Sequence, residues 1–264
     1  MPAYRKQVVT FLDIMGFRDI VRKRDCDAIT HMLDLIQSSA AVPGESQKTA
    51  VISFSDSVVR ARPCGTDVVS ALLHEVQALA TAQWDLMGHG ILVRGGLTIG
   101  NVLMTTDRAF GPAFVRAYEI ESSWAKSPRM VVDPTSVRLI REQARAANGL
   151  TARRKLIGSV RKILRLDQDG LWFVDYITSA RARLDEDTHR STMMRHRENI
   201  IAEANALGDS SPVLAKYLWL IRYFNGSAKR LHPTVAGLKI RPSDVPLSDE
   251  LLLPAILRPK KKAG

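Results

Sequence analysis

Only two cysteines occur in these 264 residues, and Cys26 and Cys64 stand alone with no CxxC spacing. A disulfide framework and a cysteine zinc site are thereby excluded. The six histidines (His31, His74, His89, His189, His196, His232) show neither HxxxH nor HExxH spacing, so none reads as a metal ligand. No apolar run approaches the ~20 residues a membrane helix needs. The N-terminal segment leads straight into a strand pattern rather than the apolar core of a signal peptide. Internal repeats are missing. What remains is a composition of 45% hydrophobic and 25% charged residues, which suits a globular core and not disorder. The expectation is a reduced, cytoplasmic protein with no membrane partner.

Acidic residues are also scarce, 27 against 38 Lys and Arg, for a net charge of +11. Such an excess raises nucleic acid as a partner. The charge, however, reads as spread along the chain and not gathered on one recognition helix. Its two local concentrations, Arg141 to Arg165 and the tail Arg258-Pro259-Lys260-Lys261-Lys262, read as a solvated face and a frayed end. No nucleic-acid partner is expected. A basic chain also suits a nucleoside triphosphate, whose several negative charges need cations around them.

The pattern of elements predicts an α+β fold. Val8-Val9-Thr10-Phe11-Leu12 is a β-branched and aromatic strand, ended by Gly16 before an amphipathic helix over 17–38. A loop at 42–46 precedes a hairpin of strands near 48–54 and 57–62, then a helix over 67–87 capped by Thr66. A strand over 91–100 with a hairpin partner at 102–105, a helix over 112–125 and a strand at 130–133 follow. This order suggests a ferredoxin-like βαββαβ sandwich, its antiparallel sheet covered by helices on one face. Past residue 135 come a basic helix over 134–147, an apolar strand over 171–177 and helices near 182–207 and 212–231. The expected organisation is a core at 1–135, an extension at 136–255 packing on it, and a basic tail at 256–264. Trp172 and Trp219 read as core anchors.

Two acidic positions carry the chemistry. Asp13 ends the first apolar strand, and Asp56 sits in the hairpin turn Ser53-Phe54-Ser55-Asp56-Ser57. Carboxylates at the tips of neighbouring strands invite a positive charge between them, and two divalent metals handling a polyphosphate are the natural occupants. The backbone carbonyl of Ile14 is a further oxygen ligand. Met15-Gly16-Phe17 opens a helix whose first N–H groups are free to hold a phosphate, and Gly16 lets backbone approach it closely. The bland alternative is a pair of turn aspartates capping local structure. A nuclease or polymerase palm shares the two-metal chemistry, but no thumb or third carboxylate cluster is apparent.

Phe11-Leu12-Asp13-Ile14-Met15-Gly16-Phe17 resembles the Phe-x-Asp-Ile-x-Gly-Phe signature of class III nucleotidyl cyclases. Ser55-Asp56-Ser57 is similar to their Gly-Asp turn, with serine replacing the glycine. Val93-Arg94-Gly95-Gly96-Leu97-Thr98-Ile99-Gly100 resembles their strand Arg-x-Gly-Ile-x-x-Gly. Gly111-Pro112-Ala113-Phe114-Val115-Arg116-Ala117-Tyr118-Glu119 stands where they carry Gly-x-x-Val-Asn-x-Ala-x-Arg. The blocks run in family order over residues 5 to 133. Together with Asp169 to Tyr176 and the helix around Trp219, they are most similar to the pyrimidine cyclases of bacterial Pycsar antiphage systems.

The resemblance implies a class III cyclase core, two Mn²⁺ or Mg²⁺ ions on Asp13, Asp56 and the Ile14 carbonyl, and a homodimer with active sites at its interface. It implies cyclisation of UTP or CTP to a 3′,5′-cyclic monophosphate that acts on a separate effector protein. Ser55 with Ile14, Met15, Gly16 and Phe17 would contact substrate. Departures are equally visible. The family's transition-state asparagine falls at Val115 and its arginine at Glu119, leaving Arg94 and Arg116 as nearby cations. Purine readout falls near Ala50 or Ile52 and near Arg108, so it is dismantled. These losses admit a non-catalytic regulatory module or a cyclase for a different base, and the retained aspartates favour the second.

Overall fold

Val8, Val9, Phe11 and Leu12 lie on an interior strand, β1 (Arg5–Ile14), in the computed structural model, which describes residues 3–40, 49–207 and 213–246. The expected loop at 42–46 and the basic tail lie outside the described residues. Helices α1 (Phe17–Lys23) and α2 (Cys26–Ala40) follow, then strands β2 (Ala50–Phe54) and β3 (Ser57–Pro63) and helix α3 (Val68–Gly88). Strands β4 (Val93–Met104) and β5 (Ala109–Phe110), helix α4 (Pro112–Glu119), a π-helical segment over Ile120–Trp124 and strand β6 (Met130–Val132) come next. Helices α5 (Pro134–Ala146) and α6 (Leu150–Ile163), hairpin strands β7 (Leu164–Leu166) and β8 (Trp172–Val174), and helix α7 (Tyr176–Arg181) continue the chain. Helices α8 (Glu186–Leu207) and α9 (Leu214–Leu231) follow.

The strands form one open mixed sheet of order β2-β3-β1-β4-β6-β8-β7, with β5 paired to β4. Its β2-β3-β1-β4 part has the ferredoxin-like order and is antiparallel throughout. The pair β4–β6 is parallel, which makes the whole sheet mixed. The chain divides into two compact units, one of Met1–Met87 with Ile91–Arg183, the other of Gly88–Gly90 with Leu184–Gly264.

Alternation along β1 sends successive side chains to opposite faces. Val9 and Phe11 pack with Val59, Ala61, Val102, Ala113 and Ala117, so α4 lies on that face. Thr10 points to the other, where its hydroxyl donates to the Glu75 carboxylate of α3 (3.1 Å). Helices thus cover both faces, not one as the element order suggested. Gly96 allows this: a Cβ there would stand 2.2 Å from the Ala117 carbonyl oxygen, so only glycine lets α4 lie directly on β4. Glu75 is wholly buried and takes Arg60 Nε at 2.7 Å and Arg62 Nε at 2.9 Å.

Several element boundaries differ from the sequence reading. The first long helix is broken at Arg24, whose backbone is extended, and Asp25 restarts it by accepting from the Ala28 N–H (2.8 Å). Asp67, not Thr66, caps α3, accepting from the N–H groups of Val69 and Ser70. Residues 102–105 do not turn back as a hairpin partner: Val102 to Met104 continue β4 and pair β1 and β5, because Gly100 and Asn101 stay extended in the β1 ladder. Helix α6 has no counterpart in the sequence reading, and Asp175 caps α7 where a longer strand was expected.

The second unit is built on α8 and α9, with Met193, Ile200, Leu220, Ile221 and Phe224 buried. Trp219 stacks on Tyr223 at 5.2 Å. Three of its histidines are buried, and His189 Nδ1 lies 2.8 Å from His232 Nε2. Burial pushes the His196 imidazole down to about 3, with the charges of His189 and Arg195 adding to it, so the ring is neutral at neutral pH.

Candidate active site at the end of the central strand

Pairing with both neighbours fixes the end of β1. Asp13 stands opposite Ser57 of β3 and Arg94 of β4. The Ile14 N–H donates to the Asp56 carbonyl (3.1 Å), fastening the β2–β3 turn to the strand end, and the Met15 N–H donates to the Leu92 carbonyl (2.9 Å). The turn itself needs a left-handed residue, which Ser55 supplies with φ of 55°. Gly16 has φ of 79° at the start of α1, and a Cβ there would meet nothing within 4 Å, so the backbone at this point faces open space. Asp13, Ile14, Met15, Gly16, Phe17, Ser55, Asp56 and Arg94 therefore converge at one end of the sheet.

Arg94 organises the charges. Its Nε donates to Asp13 Oδ2 at 3.0 Å, and its Nη2 lies 2.8 Å from Glu121 Oε1 in an ion pair. Glu121 is a third carboxylate that the sequence reading did not find. It belongs to the π-helical segment that continues α4, a distortion common at functional sites. A signal was present: Ala113, Ala117 and Glu121 recur at i, i+4, i+8, so an acid interrupts the helix's buried stripe.

The three carboxylates repel one another. Burial raises the Asp13 carboxyl above its ordinary value; Arg94 opposes the rise and Asp56 adds to it. Burial likewise lifts Glu121 to about 6, against the pull of Arg94 and with the help of Asp13 and Asp56. Asp13 and Asp56 form a donor set of hard oxygens whose mutual repulsion a divalent cation would relieve, so they fit such an ion. Glu121 is turned toward Arg94, and among the described residues no group of three or more acidic, histidine or cysteine side chains is arranged to hold a metal.

Arg116 is not brought to Asp13. Its Nε donates to Asp133 Oδ2 (2.9 Å), and its guanidinium lies 4.4 Å from the centre of the Trp124 ring. Asp133 is held by Thr98, four positions along β4 from Arg94 and so roughly 13 Å away at ~3.3 Å per residue. Asp133, which caps α5 and accepts from Thr98, Thr135 and Arg116, was likewise not singled out from sequence. Val115 is exposed, Glu119 lies 3.5 Å from Arg116, and Arg108 pairs with Asp107 at the surface.

Beside this cluster the α4 face carries an aromatic group. Buried Phe11 makes edge contacts with Phe54 (6.1 Å), Phe114 (5.8 Å) and Tyr118 (5.4 Å). Phe54, Val115 and Tyr118 remain 45%, 51% and 51% exposed.

No family model and no curated protein matches the chain. Among solved structures it is similar to adenylyl and guanylyl cyclase domains. A bacterial light-regulated adenylyl cyclase aligns at 15% identity over 54% of this chain and 82% of its own, with a TM-score of 0.44. The monomeric guanylyl cyclase domain of the RhoGC fusion protein from the aquatic fungus Blastocladiella emersonii aligns at 16% over 66% and 98%, TM-score 0.42. The adenylyl cyclase CyaB from P. aeruginosa aligns at 17% over 53% and 82%, TM-score 0.40.

Proposed function

We propose that this chain is a nucleotidyl cyclase that converts a pyrimidine nucleoside triphosphate, UTP before CTP, into its 3′,5′-cyclic monophosphate and pyrophosphate. The observation that carries the reading is the convergence of Asp13 and Asp56 beside Arg94 at the end of β1. The ribose 3′-oxygen attacks the α-phosphorus, the bond from that phosphorus to the bridging oxygen breaks, and the 3′-hydroxyl proton is lost to solvent. Asp13, Asp56 and the Ile14 carbonyl would hold two Mn²⁺ or Mg²⁺ ions, whose chemistry when bound is to acidify the hydroxyl and neutralise the triphosphate.

The chain's own groups position and balance charge. The backbone of Met15, Gly16 and Phe17, with Ser55 opposite, cradles the phosphates. Arg94 is steered between Asp13 and Glu121, ready to meet negative charge developing on the α-phosphate. Arg116 would serve a second copy's site in a homodimer, the exposed Phe54, Val115 and Tyr118 lying in the interface. The family's purine-reading positions fall near Ala50 or Ile52 and near Arg108, which supports a smaller base. The cyclic product would act in the cytoplasm on a separate effector protein as an antiphage messenger, in the manner of the Pycsar cyclases that the sequence resembles.

The test is incubation of the purified chain with ATP, GTP, CTP and UTP plus Mn²⁺, with products identified by mass. A single cyclic pyrimidine monophosphate, lost in Asp13→Ala, supports the proposal. A cyclic purine keeps the reaction and overturns the base assignment. Val115 and Glu119, standing where the family's catalytic asparagine and arginine fall, motivate a second reading as a non-catalytic module, and no product from any nucleotide would favour it.

A further inference from the structure

The chain's excess charge is not evenly spread once folded. The helices α5 and α6, residues 134–163, carry eight Arg and Lys against the single acid Glu142, which is +7 of the chain's +11. All eight are exposed, and none pairs with a carboxylate among the described residues. We propose that this helical hairpin is a nucleic-acid-binding surface that grips the phosphate backbone, separate from the site at the end of β1.

Four observations carry the assignment. Arg138, Arg141 and Arg145 recur at i, i+3, i+7, one position behind the buried stripe Val137, Ile140 and Ala144. Like charges at i, i+3 and i, i+4 destabilise a helix, and a row of phosphates is the partner that relieves them. Helix α6 has no acid in its first turn, and Arg153-Arg154-Lys155 begins just after it, the reverse of what the helix dipole favours. Arg161 and Lys162 repeat Arg154 and Lys155 seven residues on, about 10.5 Å along the axis at ~1.5 Å per residue, a spacing that reaches successive phosphates. Six of the eight are arginine, the side chain that meets phosphate oxygens in pairs.

An anionic membrane would also attract this charge, but a membrane-lying helix needs a free apolar face. The apolar faces of both helices are already used, by Val137, Ile140 and Ala144 in α5 and by Val160 and Ile163 in α6, with Leu150 alone strongly exposed at the helix start. Only the charged faces remain free.

The full chain should be titrated into a labelled single-stranded RNA and a labelled duplex DNA, each about thirty nucleotides long, across a salt series. Two triple variants of equal charge change are compared: Arg153→Glu/Arg154→Glu/Lys155→Glu in the hairpin and Arg22→Glu/Arg24→Glu/Arg195→Glu elsewhere, with circular dichroism confirming that both fold. The expected result is binding that weakens steeply with salt, at least tenfold weaker in the hairpin variant, with its duplex log–log salt slope shallower by about three, and changed little in the control. Equal losses in both variants would reduce the effect to net charge and overturn the proposal. Binding to phosphatidylglycerol vesicles but to neither nucleic acid would overturn it in favour of a membrane surface. No binding to any probe would overturn it outright.

Discussion

Two networks of arginine and carboxylate meet on strand β1, one on each face, and they are balanced in opposite ways. On the α3 face a single carboxylate, Glu75, receives two arginines and a threonine hydroxyl. Burial alone would raise its carboxyl, but Arg60 and Arg62 outweigh that and hold it below the ordinary value. At the end of β1 a single arginine, Arg94, stands between Asp13 and Glu121, with the charge of Asp56 felt by both. There burial wins, and both carboxyls are raised. The first network is satisfied from within and serves the fold. The second is left with excess negative charge.

The largest effect should come from breaking the balanced network. Glu75→Ala leaves two buried guanidiniums without their anion and should cost about 3–5 kcal/mol in urea unfolding; a loss under about 1 kcal/mol would place the two networks on the same footing. Next, the unbalanced network should accept a cation. Mn²⁺ at a hundredfold over its dissociation constant should stabilise the wild type by about 2.7 kcal/mol in thermal melts. Asp56→Asn should lose that gain, and an unchanged response would move the cation elsewhere.

A third measurement isolates Glu121. Because its folded value is raised, the protonated form is favoured by folding, so its stabilising contribution is full below 4.5 and is lost as pH rises through about 6. The displacement is worth about 2 kcal/mol. Glu121→Gln should therefore gain about that much on the wild type between pH 4.5 and pH 7 in paired urea titrations, and a constant difference would refute the linkage. The smallest effect concerns neither network. Tyr118→Ser on the exposed α4 face should weaken self-association about tenfold by sedimentation, roughly 1.4 kcal/mol, with the circular dichroism of the folded chain unchanged.

Much of this was legible in the chain. Apolar strands ending in Asp13 and Asp56, and the ferredoxin-like strand order, follow from β-branched runs and turn residues that act locally. Two of the parts that escaped are decided by tertiary contact. Glu121 and Glu75 each sit on an otherwise apolar helical stripe, and only the arginines of β3 and β4, distant in sequence, show why an acid belongs there. The break at Arg24 was missed because the apolar spacing continues across it, while Asp25, a local cap, overrides that spacing. The concentration of charge over Arg141 to Arg165 was visible and read as a solvated face, but its placement on two packed helices was not, since helix α6 has no strong local signal.

Arg94 and Asp13 are separated by 81 positions along the chain, yet they face each other across one ladder. Pairings of such long range must overcome a large loop-closure entropy and form slowly. The cluster at the strand end is therefore expected to form late in folding. During synthesis a nascent chain can display β1, the β2–β3 hairpin and Asp56 while holding no organised cluster at all, because β4 and the segment bearing Glu121 have yet to emerge. Refolding followed in parallel by tryptophan fluorescence and by Mn²⁺ uptake should therefore show the cation joining with the slowest phase.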